Sequence, residues 1–590
     1  MIFITEATTK ISVTGPEAEL SEIALRMRFR PPDYWRSDAY QLFKISGGKK
    51  GWNGYMCPFK QLKPDSYWAL RGHLGEVLEW ARVLKFDVNT DNVLRSPFYG
   101  MVPDDIPDDI VKADFQLDQG QRESIVCWLS SGMGVNKMTV SAGKTVCFIT
   151  AAALIKQRHP DVRILYITPT ERLVNQVFQS ACEHLPDWNI TQYGGGKGNK
   201  KGTDMVVCTM AILGRNYKVL LTSGWFKSIF CVLYDESHHA QSPSSEKVLL
   251  AIPAYYRLGA SDSTKEDDIV KSTRIRGLLG PVLNVIKADG LMDAGRMARP
   301  TIYLIDNQNW SGRFEEKSHT APKNSDAWVL MDGDWIQATY LGPTFEKAEP
   351  VGGQYRPGEE DGLKRDRNGE MIILQNFHRL LINGEELEMP SRWCLLDRLY
   401  DRAIIRFKDR NELIARWAKY FIDKDYPTLV VATRTLHVLI LQSVISKLVG
   451  ADRVRILFSE HSTKERNATF DWVREGGGRV LVSPLAKEGC SINELRAGII
   501  ADVVASSEYA NQLIGRFLRK KNQDNTASVA WFVDRQHRTY RRGCMKLFKR
   551  LSEIRGYRFC HPVVEPNDIE RAVVFESGRG DIKICPEVEQ

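Results

Sequence analysis

The sequence predicts an α/β fold built from two tandem parallel-sheet domains, with a small α/β unit ahead of them and a β-rich insertion between them. Three observations carry this prediction. From about Ala113 to Ala260 short β-branched runs alternate with helical stretches. The same texture returns from about Trp393 to Asp534. The runs themselves, such as Ile229 to Tyr234, are apolar throughout rather than alternating, as strands covered on both faces must be.

In chain order, residues 1–105 read as a separate accessory unit that ends in the Pro/Asp-rich stretch Pro103 to Asp109, which has the composition of a linker. Residues 106–309 form the first α/β domain, with strands expected at Val162 to Ile167, Met205 to Cys208, Ile229 to Tyr234 and Tyr256 to Ala260. Residues 310–392 are rich in Gly, Pro and charge, and Trp328 to Leu341 and Met371 to Ile382 alternate like edge or hairpin strands, hence the β-rich insertion. Residues 393–560 form the second α/β domain, closing in a basic helix from 535 to 558, and 561–590 read as a tail.

Composition narrows the class. With 590 residues the chain has room for about four domain-sized units. Hydrophobic residues at 43% and charged residues at 26% exclude a disordered or fibrous chain. Lys plus Arg outnumber Asp plus Glu by 81 to 73, a net +8 that favours a polyanionic partner. No run of about 18 apolar residues suggests a membrane helix, and Glu6 interrupts the N-terminal apolar stretch, so a cytoplasmic protein without a membrane partner is expected. The 11 cysteines include no Cys-x-x-Cys pair and read as reduced core thiols.

The chemistry concentrates at two places. Thr139-Val140-Ser141-Ala142-Gly143-Lys144-Thr145 follows an apolar run and precedes the helical Val146 to Ile155. In a strand–loop–helix context of this kind, backbone N–H groups of Ser141, Ala142 and Gly143 cradle phosphates, Lys144 adds a point charge and the Thr145 hydroxyl ligates Mg²⁺. Downstream, the apolar strand ending at Tyr234 runs into Asp235-Glu236-Ser237-His238, and carboxylates at the carboxyl end of a buried strand lie where α/β sheets bind their ligands. Asp235 suits the metal. Glu236 suits the base that positions an attacking water.

These motifs resemble, in content and order, those of the superfamily 2 helicases, and within that superfamily the nearest likeness is to a phage recombination helicase. The resemblance implies two RecA-like domains that bind ATP and Mg²⁺. It further implies that Gln121 reads adenine, that His238 links the nucleotide to the facing domain, and that Gly489 touches both nucleotide and nucleic acid. Gln512-Leu513-Ile514-Gly515-Arg516-Phe517-Leu518-Arg519 is similar to the family's closing signature, so Gln512 would bind nucleotide and Arg516 and Arg519 would act as catalytic arginines beside Lys144 and Glu236. Pro169, Thr170, Gly194, Gly195, Thr209, Thr433, Arg434 and Ser483 correspond to nucleic-acid contacts. Gly259-Ala260-Ser261 departs from the family's Ser-Ala-Thr. The implied activity is ATP-driven remodelling of branched DNA (forks, displacement loops, Holliday junctions) by a monomer, in a host cytoplasm if the chain is phage-encoded. RNA is the alternative partner, and an ATP-gated scaffold without motor activity is the alternative class.

Two basic surfaces extend this reading. Lys49, Lys50 and Trp52 sit in a basic and aromatic stretch suited to phosphate neutralisation and base stacking, or equally to the core and solvated face of a small domain. Arg538 and Arg542 lie on the basic C-terminal helix, where a DNA track or plain solvation would explain the charge.

Overall fold

The structure, a computed structural model, describes residues 1–112, 116–139, 141–194, 203–262, 268–305, 325–331, 334–344, 363–365, 371–373, 377–382, 385–389, 400, 404–458, 460–484, 494–502, 513–515, 517, 525–534, 544, 548, 551–552, 554 and 556–577. They fall into two compact units, Met1–Met297 and Ala298–Gln590.

The first unit holds two sheets. The N-terminal sheet, in the order Lys60–Lys63, Ser66–Leu70, Lys10–Thr14, Ile2–Glu6, Val88–Asn92, is mostly antiparallel. Its strands Ile2–Glu6 and Lys10–Thr14 bury alternate residues. One face therefore meets the helices Glu17–Met27 and Leu74–Val83 through Ile4, Val13, Leu20, Ile23 and Val77. The second sheet is parallel throughout, in the order Val282–Ile286, Met133–Met138, Tyr256–Ser261, Ile229–Asp235, Arg163–Thr168, Met205–Thr209, Ile190–Tyr193. Here Met205–Thr209 and Tyr256–Ser261 are buried at every position, as a sheet with helices on both faces requires.

Polar clamps hold the N-terminal sheet to this parallel-sheet domain. Arg71, 2% exposed, donates to Glu6 Oε1 at 2.5 Å and also to the Tyr255 carbonyl, while its guanidinium lies over the Tyr255 ring. Glu76 takes His73 at 2.6 Å and also pairs with Arg276. Between these clamps a Cβ on Gly277 would meet Leu70 Cδ1 at 2.8 Å and His73 Nε2 at 2.9 Å, so glycine permits the contact. The expected linker at Pro103 to Asp109 is likewise tied down: Arg122 donates to the carbonyls of Pro103 and Ile106 and pairs with Asp108.

The second unit is an eight-stranded sheet in the order Val454–Ile456, Val480–Ser483, Thr428–Val431, Ala497–Ile500, Thr526–Phe532, Arg299–Ile305, Arg558–Val563, Val573–Glu576, parallel except for the last pair. This corrects two sequence boundaries. Arg299–Ile305 belongs to the second sheet rather than to the first domain, because its apolar residues pair along Thr526–Phe532. The expected tail from 561 contains sheet: Arg558–Val563 covers the other side of that strand, and Val573–Glu576 forms the edge. The insertion is β-rich as expected, with Ser325–Met331, Asp334–Thr344, Phe377–Ile382 and Glu385–Met389 in one antiparallel sheet and Leu363–Arg365 with Met371–Ile373 in a small one. Among the described residues no helix is long and apolar enough to cross a membrane.

The helix Lys408–Asp423 is joined to the end of the Thr526–Phe532 strand by Arg410, which donates from Nε and Nη2 to the two oxygens of Asp534, each at 2.9 Å. Both side chains are fully buried. A buried carboxylate stripped of its partner costs about 3–5 kcal/mol. Arg410→Met is therefore expected to lower the urea-unfolding free energy of the second unit by that order, and Arg410→Met/Asp534→Leu to regain most of it. A single variant as stable as the wild type contradicts the assignment.

Candidate functional site

The site is assembled at the carboxyl ends of neighbouring parallel strands. Met133–Met138 leads into the loop at 139–143 and the helix Lys144–Arg158, and Ile229–Asp235 ends in the acid box; Tyr256–Ser261 lies between those two strands. Gly143 caps the helix with φ +82°, and no side chain caps the first amides. Ser141 is also left-handed, at φ +67°. The loop thus bends its backbone tightly into the helix start, where N–H groups and the helix dipole favour an anion.

Gln121 packs directly on this loop. It closes a capping box with Asp118 and donates from Nε2 to the Ala142 carbonyl at 3.0 Å. A Cβ on Gly143 would lie 2.2 Å from that same nitrogen and displace it, and the φ of +82° favours glycine here.

Three charges share the next layer. Lys144 Nζ lies 3.1 Å from Glu236 Oε1, with the side chains 13% and 23% exposed. Burial works against the Lys144 charge, but Glu236, Asp262 and Asp235 outweigh it and hold the ammonium above its ordinary range. Burial likewise works against ionised Glu236, yet Lys144 and His238 keep its carboxyl well below the usual range. Asp235 is pushed up to about 6 by burial and then by the Glu236 charge, against the pull of Lys144. Glu236 adopts a left-handed φ of +49°, turning the chain sharply after the strand. Its amide donates back to Asp235 Oδ1 at 2.9 Å.

Ser261 and Asp262 are what the sequence reading missed. Asp235 is in register with Ala260, so the strand-end residues that follow Ala260 come level with the acid box. Ser261 Oγ meets His238 Nδ1 at 2.8 Å and donates to Glu236 Oε2 at 3.4 Å. At 259, where glycine replaces the family's serine, a Cβ would meet Val135 Cγ2 at 3.0 Å and Ser237 Cβ at 3.1 Å. Donor atoms of Glu236, His238 and Asp262 lie within 4.8 Å of one another. Mg²⁺ favours oxygen ligands, which Thr145 and Asp235 supply without the imidazole nitrogen of that second cluster. The residues present therefore fit a magnesium–phosphate ligand, with Gly143 to Thr145 and Asp235 as its holders.

The remaining predicted residues are placed as follows. Pro169 and Thr170 follow the strand Arg163–Thr168, Gly194 follows Ile190–Tyr193, and Thr209 ends Met205–Thr209. All lie on the same carboxyl edge as the acid box. The Thr170 and Thr209 hydroxyls cap the helices that follow them. Thr433 and Arg434 follow Thr428–Val431 in the second sheet. Ser483 is 1% exposed and donates its hydroxyl to the Leu457 carbonyl at 2.7 Å. Lys49 and Lys50 are exposed, while Trp52 is half-buried and donates to the Tyr55 carbonyl at 2.7 Å. The Tyr55 ring is stacked by Arg28 and Arg30 at 4.5 and 4.3 Å. Gly195, Gly489, Gln512, Arg516, Arg519, Arg538 and Arg542 lie outside the described residues; within the closing signature, Leu513, Ile514 and Phe517 are buried, and the Phe517 ring covers Gly498.

The raised Asp235 value sets a pH dependence. A carboxyl whose folded-state value exceeds its ordinary 3.8 costs stability that builds as pH rises from about 3.8 to about 6 and is constant above that. Asp235→Asn is expected to raise the thermal midpoint at neutral and alkaline pH, with the gain shrinking as pH falls through about 6. A gain independent of pH, or none, contradicts this electrostatic arrangement.

Residues 115–261, a stretch that contains Gln121 and ends at Ser261, match the family described as "Type III restriction enzyme, res subunit". A chloroplastic DExH-box ATP-dependent RNA helicase, DExH15 of Arabidopsis thaliana, is 31% identical over 115 residues, which is 20% of this chain and a tenth of that protein's length. Among solved structures, bacteriophage T4 UvsW aligns over 95% of this chain and 98% of its own at 14% identity and TM-score 0.39, and S. cerevisiae Dbp5 bound to RNA and ADP BeF3 over 74% and 87% at 11% and 0.44. The phosphate loop and acid box, joined by Lys144 and Glu236, fall inside the matched stretch.

Proposed function

We propose that the chain is a Mg²⁺-dependent ATP hydrolase that moves along or separates nucleic-acid strands, with branched DNA such as forks, displacement loops and Holliday junctions as its substrate. The observation that carries the reading is the Lys144–Glu236 pair beside the helix start at Gly143. When bound, Mg²⁺–ATP supplies the transferable phosphoryl group and most of the charge that must be neutralised. Lys144, cationic at any physiological pH, offers its ammonium to phosphate oxygens. An anion there competes with Glu236 for the lysine and leaves the carboxylate to accept a hydrogen bond from a water. The ionised Glu236 carboxylate orients that water and can accept its proton. Ser261 and His238 fix the Glu236 carboxylate from the strand-end side. Pro169, Thr170, Gly194, Gly195, Thr209, Thr433 and Arg434 would grip phosphates without reading bases, and the basic excess of the chain supports a polyanionic track.

The test is steady-state ATP hydrolysis with matched single-stranded, duplex, forked and four-way-junction DNA and single-stranded RNA at one salt concentration. Strongest stimulation by forked or four-way DNA is expected. Stimulation by RNA alone points to an RNA motor, and stimulation by none points to a gated scaffold; either overturns the reading.

In the same assay Lys144→Ala and Glu236→Gln are each expected to lower the turnover number by about 100-fold or more, with nucleic-acid binding largely kept. Turnover surviving either substitution contradicts the assigned roles. Arg516→Ala tests whether the second α/β domain contributes to the reaction.

A further inference from the structure

The second unit contains a buried polar network that the ATP site does not use. Asp502, 2% exposed, follows the strand Ala497–Ile500. Its Oδ1 accepts the Tyr400 hydroxyl at 2.6 Å, and its Oδ2 accepts the backbone N–H of Thr433. Thr433 begins the turn between Thr428–Val431 and the helix Thr435–Val449, whose N-cap residue Arg434 makes no side-chain cap. The fully buried His437, on that helix, holds Nδ1 3.7 Å from Asp502 Oδ1 and Nε2 3.1 Å from Asn411 Oδ1. Asn411 in turn donates to the Ile405 carbonyl at 2.7 Å. Beside this network the Arg434 guanidinium lies 6.0 Å from the centre of the Tyr400 ring.

An acid at 2% exposure needs donors to stay charged. Asp502 has them: burial opposes its ionisation, but His437, Tyr400 and Thr433 together hold its carboxyl below the usual range. A fixed anion here also faces the positive end of the helix Thr435–Val449. Among the described residues the Asp502 carboxylate takes the Thr433 amide, in a connecting segment of the kind that is more mobile than the elements it joins.

We propose that Asp502 and Tyr400 are positioning residues for nucleic-acid binding: Asp502 locks the Thr433 backbone, Tyr400 shelves the Arg434 side chain, and together they present the turn to a phosphate backbone. This rests on the proposed function, since Thr433 and Arg434 are assigned there as backbone contacts. Neither positioning residue touches the nucleic acid. Asp502→Asn keeps the volume but replaces one acceptor oxygen by a donor, so either Tyr400 or Thr433 loses its partner. Tyr400→Phe removes only the hydroxyl, and Tyr400→Ala removes the shelf as well.

Two readouts test this. In amide hydrogen exchange, the segment 432–438 of Asp502→Asn is expected to exchange about tenfold faster than in the wild type, with the strands of the sheet unchanged. In ATP hydrolysis titrated with a single-stranded DNA oligonucleotide and with RNA of the same sequence, the half-saturating concentration is expected to rise roughly fivefold for Asp502→Asn, the worth of about one hydrogen bond. Tyr400→Ala should exceed Tyr400→Phe, and the rate at saturation should stay within about twofold of wild type. Unchanged exchange overturns the lock. Faster exchange with an unchanged half-saturating concentration overturns the role in binding, as does a lower saturating rate at the same half-saturation. A wild-type chain that no nucleic acid stimulates overturns the proposed function and the binding role together, while the exchange data still decide whether Asp502 locks the turn.

Discussion

One ammonium and two carboxylates, mostly withdrawn from water at the carboxyl edge of the first parallel sheet, hold one another in their charge states. Lys144 remains cationic because Glu236, Asp262 and Asp235 surround it; Glu236 remains anionic because Lys144 and His238 face it; Asp235, left with less compensation, sits at about 6. Removing either member of the Lys144–Glu236 pair would leave the other as an uncompensated buried charge, which costs far more than a surface ion pair contributes. The backbone is arranged to make this cluster possible. Gly143 and Glu236 are both left-handed, one at the start of the helix and one after the strand, so that two parallel strands separated by a third deliver their side chains to one place.

The packing around the cluster is correspondingly unforgiving. Gly143 has Gln121 against it, Gly259 has Val135 and Ser237, and Arg257, fully enclosed in the strand that carries Ser261, donates to the carbonyls of Ala254, Leu249, Ile252 and Leu278. The same strand and the helix Ile269–Leu279 are where the N-terminal sheet is clamped, through Arg71 on the Tyr255 carbonyl and Glu76 on Arg276. The N-terminal sheet is therefore attached to the segments that flank Ser261 and Asp262.

Much of this was legible in the sequence because it obeys local rules. The doubly buried strands read as apolar runs, and the phosphate loop and acid box announce themselves by residue type and order, since backbone amides, an ammonium and carboxylates are the groups the chemistry needs. What stayed hidden depends on pairing between distant segments. Ser261 carried no assigned role until strand register set it beside His238. Arg299–Ile305 has no local mark telling which sheet it joins, and Arg558–Val563 is masked by its charge and by Pro562. Arg122 converts a linker-like composition into a fixed segment by reaching back from its helix.

The most direct test of the central claim, that Gly143 to Thr145 and Asp235 hold one metal–phosphate ligand, is a crystal structure with Mn²⁺ and a non-hydrolysable ATP analogue, the metal located by its anomalous signal. The account predicts the metal within direct or water-bridged reach of Thr145 Oγ1 and the Asp235 carboxylate, with phosphate oxygens on the amides of Gly143 to Thr145 and on Lys144 Nζ. A metal bound instead by His238 and Asp262, with no phosphate at the helix start, would contradict it.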